Sequence, residues 1–299
     1  MAGLGTNYVF SFNNFLFGGP GQGVQVTQVT GLEDLPNLRT QDDNRGYADG
    51  AFTGRDFLDS RNIIFSFQIM SNADGSMFDY LNAMKAALVP SRFGTIPLYF
   101  KMPDGATRLV NARVRARAIT VDPEFTYGRA VATYHFYCPD PRIYDAGQAP
   151  AYQPQSINLS VSGSLGRVYP RKYKVGSTVT PWGYTVPGGT TPRYWGFVNA
   201  GNTTTYPTIT VTGPCTNPTI LNLSTGEQLR VLTTLGANDV LTMDTDFHTV
   251  QINGLNSRNL LSMPSRWFGL PAGTTTLGFS ADSSSSGCIA TIQWRNAYI

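Results

Sequence analysis

Tyr134-His135-Phe136-Tyr137-Cys138-Pro139-Asp140-Pro141-Arg142-Ile143-Tyr144 is the stretch on which the division of the chain turns. Ahead of the prolines the residues alternate as a strand does. Val131, Thr133, His135 and Tyr137 face one way, and Ala132, Tyr134, Phe136 and Cys138 the other. Pro139 and Pro141 then remove two backbone donors within three residues and bias Cys138 and Asp140 away from helix. A strand does not run through such a pair unless it lies at a sheet edge. We therefore read Pro139, Asp140, Pro141 and Arg142 as a hinge at the exit of an N-terminal domain.

Working outward, the composition sets the class. A chain of 299 residues with 41% hydrophobic content buries at least one full core, and two domains fit it better. With 31 Gly, 19 Pro, 12% aromatic and only 14% charged residues, it reads as turn-rich and mostly β. No apolar run is long enough to span a membrane, and Met1–Phe10 lacks the basic and apolar regions of a secretory leader. Cys138, Cys215 and Cys288 lie far apart in sequence with no C-x-x-C spacing, so they read as reduced, buried small hydrophobes. The net charge of +3 comes from residues 143–193, around Arg167, Arg171, Lys172 and Lys174; the flanking regions are close to balanced. That is too little basic charge, too dispersed, for a dedicated nucleic-acid binder.

Before the opening stretch lie the elements of the first domain, 1–142. Tyr8, Phe10 and Phe12 alternate in a strand that breaks at Gly18–Gly23, a loop without phosphate-cradle spacing. Residues 31–61 read as a long polar loop in which acids interleave with arginines, and loops of that length usually have a role. Ile63, Phe65, Phe67 and Ile69 make a strand with one apolar face. One helix is expected from Met77 to Val89, with Ser76 and Asp79 as a capping box and Met77, Leu81, Met84 and Leu88 as its apolar stripe. Strands follow at Ile96–Lys101 and Arg108–Val121, joined by a turn at Pro103-Asp104-Gly105. In the second of these, Arg113, Arg115 and Arg117 fall on one face by period two, about 7 Å apart. Arginine forks pair with carboxylates, so this face and the 31–61 loop (Arg39, Asp42, Asp43, Arg45, Asp56, Arg61) are expected to form ionic contacts between copies of the chain.

Residues 143–193 read as an extended Pro/Gly/Tyr-rich connector that packs back on the first domain. Residues 194–299 read as seven short strands: Thr208–Thr212, Thr219–Leu223, Glu227–Leu235, Asp239–Met243, Thr249–Asn253, Thr275–Ser280 and Cys288–Trp294. Their turn spacing argues a sandwich. No catalytic set stands out. His135 is read as structural, and Asp244-Thr245-Asp246-Phe247-His248 as a turn fixed by Asp side chains rather than a metal site. There is no G-x-S-x-G. Trp182, Trp195, Trp267 and Trp294 could form a sugar platform, but Trp195 and Trp294 flank strands and are expected in the core.

Taken in order, several stretches resemble the distal tail protein of long-tailed, non-contractile bacteriophages, a siphovirus-type tail component family. In the first domain they are Gly31-Leu32 with the loop to Gly50, Arg61 before the strand, the helix, Arg113, and Cys138 to Tyr144. In the second they are Asn199-Ala200-Gly201-Asn202, Tyr206 to Cys215, Ile220-Leu221-Asn222, Thr225-Gly226-Glu227, Leu241 to Asp246, Asn253-Gly254, Trp267 and Leu270 to Gly273. The resemblance implies a ring-forming N-terminal β-barrel or sandwich-like domain with one helix, then a galectin-like β-sandwich. It implies a hexameric ring in the virion, made in the host cytoplasm, with the tail tube protein above and the hub or baseplate protein below. The tape-measure protein and DNA would pass through the lumen, and in some relatives the outer sandwich carries receptor-binding proteins. No cofactor, catalysis or membrane insertion is implied. The histidine, asparagine and arginine pattern of sugar-binding galectins is not evident in 194–299. The competing reading is a carbohydrate-binding module that contacts the host surface.

Overall fold

The computed structural model describes residues 8–299 except 20, 73–74, 102–104, 148–151, 161, 164–166, 176–177, 187–189, 192 and 285–286; for 162–193 it describes backbone alone. The turn expected at Pro103-Asp104 and the side chains of Arg167, Arg171, Lys172, Lys174 and Trp182 lie outside the described set. The chain forms two compact units, residues 1–153 with 297–299 and residues 154–296. The division falls between Gln153 and Pro154, so Pro139–Arg142, expected as a hinge, sit inside the first unit.

The first unit is built on β1 (Val9–Phe12), β2 (Phe15–Phe17), β3 (Val24–Thr30), β4 (Leu38–Arg39), β5 (Asp43–Asn44), β6 (Ala51–Phe52), β7 (Phe57–Leu58) and β8 (Arg61–Met70). It continues through α1 (Met77–Ala87), β9 (Ile96–Lys101), β10 (Thr107–Thr120), α2 (Pro123–Thr126), β11 (Arg129–Cys138) and β12 (Ile143–Asp145). Seven strands form one antiparallel path, β2-β1-β9-β10-β11-β8-β3, and β12 joins β10 to the strand Ala297–Tyr298. In β11 the alternation is the one read from sequence, with Ala132, Tyr134, Phe136 and Cys138 buried. Register pairs Phe136 with Ile63 and Tyr134 with Phe65, which puts their side chains on one face.

That face closes on an aromatic core. Phe65 meets Phe10 edge-on at 5.0 Å and Phe136 at 5.3 Å, and Phe17 meets Phe67 at 5.3 Å. Edge-to-face geometry sets the positive ring edge against a negative ring face, worth about 0.5–1.5 kcal/mol per pair beyond area burial. The helix α1 buries Met77, Leu81 and Met84 onto this core, with Leu88 at its C-terminal end also fully buried. It begins as expected: Asp79 N donates to Ser76 Oγ at 3.3 Å and Ser76 N to Asp79 Oδ2 at 3.2 Å, so two of the helix's free donors are satisfied. The Ser76 hydroxyl, donating to Asp79 Oδ2 at 2.6 Å, and then the Ser76 N–H hold the Asp79 carboxyl below its ordinary range. The second, short helix α2 was not read from sequence; Asp122 caps it and Pro123 opens it.

The second unit is a β-sandwich. One sheet runs in the order Gln155–Ser160, Ile289–Trp294, Thr208–Thr212, Val240–Asp244, Thr249–Ile252, Leu255–Asn256. The other runs Arg193–Asn199, Gly273–Ser280, Thr219–Asn222, Gln228–Arg230. Ile209, Leu241 and Ile292 from the first sheet and Phe197, Ile220, Leu277 and Phe279 from the second share a single core. The expected strand Glu227–Leu235 is split into Gln228–Arg230 and Thr234–Leu235, and the latter leaves the main sheets to pair with Cys215–Thr216.

The Phe65 ring has three aromatic neighbours besides Phe67 and no exposed surface, so Phe65→Ala should remove about 3–5 kcal/mol of unfolding free energy, read by urea denaturation. Cys138 gives a pH signature. Burial pushes its thiol up from 9.0 to about 12. A raised folded value means stability is fully present below pH 9 and is lost as pH rises from 9 toward 12. Thermal midpoints taken from pH 7 to 10.5 should fall more steeply for the native protein than for Cys138→Ala.

Candidate interaction surface

Residues 31–61 do not form a loose loop. They fold out as an arm of two short ladders, β4 with β7 (Leu38↔Leu58, Arg39↔Phe57) and β5 with β6 (Asp43↔Phe52, Asn44↔Ala51). The tip closes with Arg45 N donating to Gly50 O at 3.2 Å, and Gly50 adopts φ +94°, a conformation that glycine enters at no steric cost. Every residue from 37 to 57 is exposed. The sequence reading took this stretch as polar and missed its apolar content: Tyr47, Phe52 (62% exposed), Leu38 and Phe57 all face solvent. The available signal was Asp49-Gly50, a hairpin dipeptide, with Leu38 and Phe57-Leu58 placed on either side of it. Among the described residues Arg39, Asp43 and Asp56 form no ion pair. Asp42 accepts from Gly54 N at 2.9 Å, and the Arg45 guanidinium lies 5.0 Å from the Phe52 ring centre.

Arg61 differs from the other arginines expected at the surface. It is only 2% exposed and is spent inside its own chain. Its Nε donates to Pro141 O at 2.9 Å. Its Nη1 lies 3.0, 2.8 and 2.6 Å from the carbonyl oxygens of Gly31, Leu32 and Asp34. Burial pulls its pKa down, while Cys138, Glu33 and Asp34 act in the opposite sense; an arginine keeps its proton regardless. One side chain thus ties both roots of the arm to the Pro-Asp-Pro turn. That turn is held in its own right: Asp140 accepts from Arg142 N at 3.1 Å, Arg142 Nη1 at 3.2 Å and Tyr144 Oη at 2.5 Å. At the other root Gly31 has φ +81°, and a Cβ there would lie 1.9 Å from Asn62 O, so no other residue fits.

Arg113, Arg115 and Arg117 do not share one face. A β-bulge between Val114 and Ala116 inserts a residue, so Arg113 stands opposite Tyr137 but Arg117 opposite Tyr134. Tyr137 and Tyr134 are on opposite faces of β11, which means the bulge turns Arg117 over. On the outer face the Arg115 and Arg113 guanidiniums lie 3.5 and 5.3 Å from the Tyr137 ring centre, a cation–π arrangement. On the inner face Arg117 lies beside the buried Tyr134 hydroxyl; burial raises that phenol's pKa and Arg117 opposes the rise. Between the end of α1 and the bulge runs a groove of about 480 Å³ lined by Lys85, Val89, Pro90 and Val114–Arg117. Lys85, absent from the sequence expectation, adds a third cation.

The candidate chemistry of the second unit resolves into structure. Asp244 Oδ1 accepts from Asp246 N at 2.9 Å and Phe247 N at 3.1 Å, the turn expected there. Among the described residues no group of His, Cys, Asp and Glu is placed to hold a metal ion. Trp294 is buried as expected and donates to Val198 O at 3.0 Å, whereas Trp195 is 56% exposed, against expectation, at the free edge of its sheet. Trp267 stacks on His248 at 5.0 Å. Asn199 is buried and donates to Thr203 O at 2.7 Å and Leu270 O at 3.1 Å, joining two of the stretches on which the resemblance rests.

The first unit thus carries an exposed arm, and the second is a two-sheet sandwich. Residues 200–298 match the family model of the siphovirus-type tail component, C-terminal domain. The fold matches that of the SPP1 Dit (gp 19.1) protein, described as a paradigm of the hub adsorption apparatus in phages that infect Gram-positive bacteria. The TM-score is 0.62 at 15% identity, over 97% of this chain and 99% of that one. Chains of the phage p2 baseplate in its activated conformation, with Ca and with Sr, match at TM-score 0.48 and 11% and 12% identity, over 96% of this chain and 97% of theirs. No curated protein matches. The chain is therefore similar to phage tail components in sequence over its C-terminal third and to Dit in fold along nearly its whole length.

Arg61→Met removes the donors from four backbone acceptors and should cost about 3–6 kcal/mol of stability, with Arg61→Lys recovering only part because the planar fork is lost. Hydrogen exchange at the amides of residues 31–34 should rise in both variants.

Proposed function

We propose that this protein is a non-enzymatic structural component of a phage tail tip. In this reading it forms a hexameric ring that joins the tail tube to the distal hub or baseplate around the DNA channel. The carrying observation is the Dit-like fold over nearly the whole chain, combined with an arm whose residues 37–57 are all exposed. A patch used head-to-tail around a rotation axis closes into a ring. The arm of one copy carries Asp42, Asp43 and Asp56 among Tyr47, Phe52 and Phe57. The outer face of the next offers Arg113 and Arg115, and the groove beside it Lys85 and Arg117. Aromatic side chains would supply the buried area, and the charges would set orientation.

In this role the sandwich, residues 154–296, faces neighbouring tip proteins, and the tape-measure protein and DNA pass through the lumen without sequence readout. Tube protein above, hub protein below and receptor-binding proteins on the sandwich are the partners it implies.

The test is assembly. Purified protein should give rings in negative-stain class averages, with a matching mass by light scattering. Arg115→Glu should cut the ring fraction at least tenfold while the circular dichroism spectrum stays native. Pairing Arg115→Glu with Asp42→Arg and Asp43→Arg should restore part of it. Intact rings from Arg115→Glu alone would remove this contact from the proposal.

A further inference from the structure

Two of the three thiols, Cys215 and Cys288, lie in one core of the second unit. Cys215 opens the strand Cys215–Thr216, and Cys288 immediately precedes Ile289–Trp294. The antiparallel ladder between Thr208–Thr212 and Ile289–Trp294 ends at Thr212↔Ile289, so the next residues of both segments leave the sheet at the same corner. Cys215 is held there from both sides, opposite Leu235 and Ser284. The residues next to the two thiols are neighbours as well, since a Cβ built on Gly287 would lie 3.5 Å from Pro214 Cδ. Both cysteines belong to the same core, 4% and 0% exposed, and neither is bonded. The two thiols are within hydrogen-bonding reach of each other. That contact lowers the pKa of Cys215 and raises that of Cys288, so Cys215 is the better nucleophile of the pair.

We propose that Cys215 and Cys288 are a modification site: a preset dithiol that closes to a disulfide when the folded protein meets a small disulfide oxidant. Cys215 gives its proton to solvent, and its thiolate attacks one sulfur of the oxidant, whose S–S bond breaks and releases one small thiolate. Cys288 then loses its proton and attacks Cys215 Sγ in the mixed disulfide, displacing the second small thiolate. Two protein S–H bonds and one small-molecule S–S bond are consumed, and one protein S–S bond and two small thiols are formed. The protein pair gives up two electrons and the oxidant takes them. The reagent enters through local opening at the corner, because Cys215 retains only a sliver of surface. The bond would staple the side sheet formed by Cys215–Thr216, Thr234–Leu235 and Ser283–Ser284 to the start of a central strand, closing a long loop in the unfolded chain. Under the proposed function, the particle is assembled where thiols stay reduced and then works outside the cell, where the staple would form.

The experiment uses the full chain and 2-hydroxyethyl disulfide as probe at pH 8. Remaining thiols are then alkylated in denaturant, followed by intact mass and a non-reducing peptide map. The expected result is one alkylated thiol, at Cys138, and a peptide joining Cys215 to Cys288. The thermal midpoint should rise by several degrees, and dithiothreitol should reverse both changes. Cys288→Ser should stop at a mixed disulfide between Cys215 and the probe, and Cys138→Ser should form the link normally. Three alkylated thiols after treatment, a mixed disulfide on Cys215 that never resolves in the native sequence, or links that pass through Cys138 would each overturn the proposal. Ring formation is not read in this assay. Loss of the link therefore leaves the tail-tip reading standing, and a protein that links without forming rings separates the two the other way.

Discussion

A single buried guanidinium sets the frame in which the first unit presents its surfaces. Arg61 sits at the first position of β8, directly opposite Cys138, the last residue of β11. From there it donates into both the Gly31–Asp34 segment and Pro141. Backbone carbonyls at irregular turns have no ladder to satisfy them, and a buried acceptor without a donor is costly. A charged fork that reaches several of them at once resolves that problem and fixes the direction in which the arm leaves the sheet. The arm has little core of its own, so its root supplies most of its orientation.

The aromatic core and the bulge in β10 act on the same frame from the other side. Phenylalanines from β1, β2, β8 and β11 meet edge to face, and Phe100 of β9 stacks on Phe10, so the rings pack densely in two complementary geometries. Above that core, one inserted residue at Val114–Ala116 sends two arginines outward onto Tyr137 and one inward beside Tyr134. A uniform strand would have made a row of three like charges. The bulge divides them between an outer face and a groove, which lowers their mutual repulsion.

Much of this was legible in the chain. Strands with strict alternation, such as Ala132 to Cys138 and Ile63 to Ile69, and the capping box at Ser76 and Asp79 carry their signals within a few residues, and the structure follows them. The sandwich strands were legible for the same reason, because turns such as Asn253-Gly254 separate them. What escaped depended on contacts distant in sequence. Nothing local marks Arg61 as internal, since its acceptors lie some 30 and 80 residues away. The bulge has no local signature, because whether period two persists is decided by the partner strand. The pairing of Cys215 with Cys288 is likewise invisible in spacing, and the exposure of Trp195 follows only from its strand lying at an edge.

The strand Ala297–Tyr298, which joins Ile143–Asp145 in the first unit, adds an order of events in synthesis. A ribosome must emit the whole sandwich before that strand exists, so on the nascent chain the first unit has an unpaired border at Ile143–Asp145. An open border of this kind invites pairing with the wrong segment, including one from a neighbouring polysome product. Completion of the first unit is thereby tied to completion of the second, and a copy truncated within residues 154–296 would lack the last piece of its own sheet.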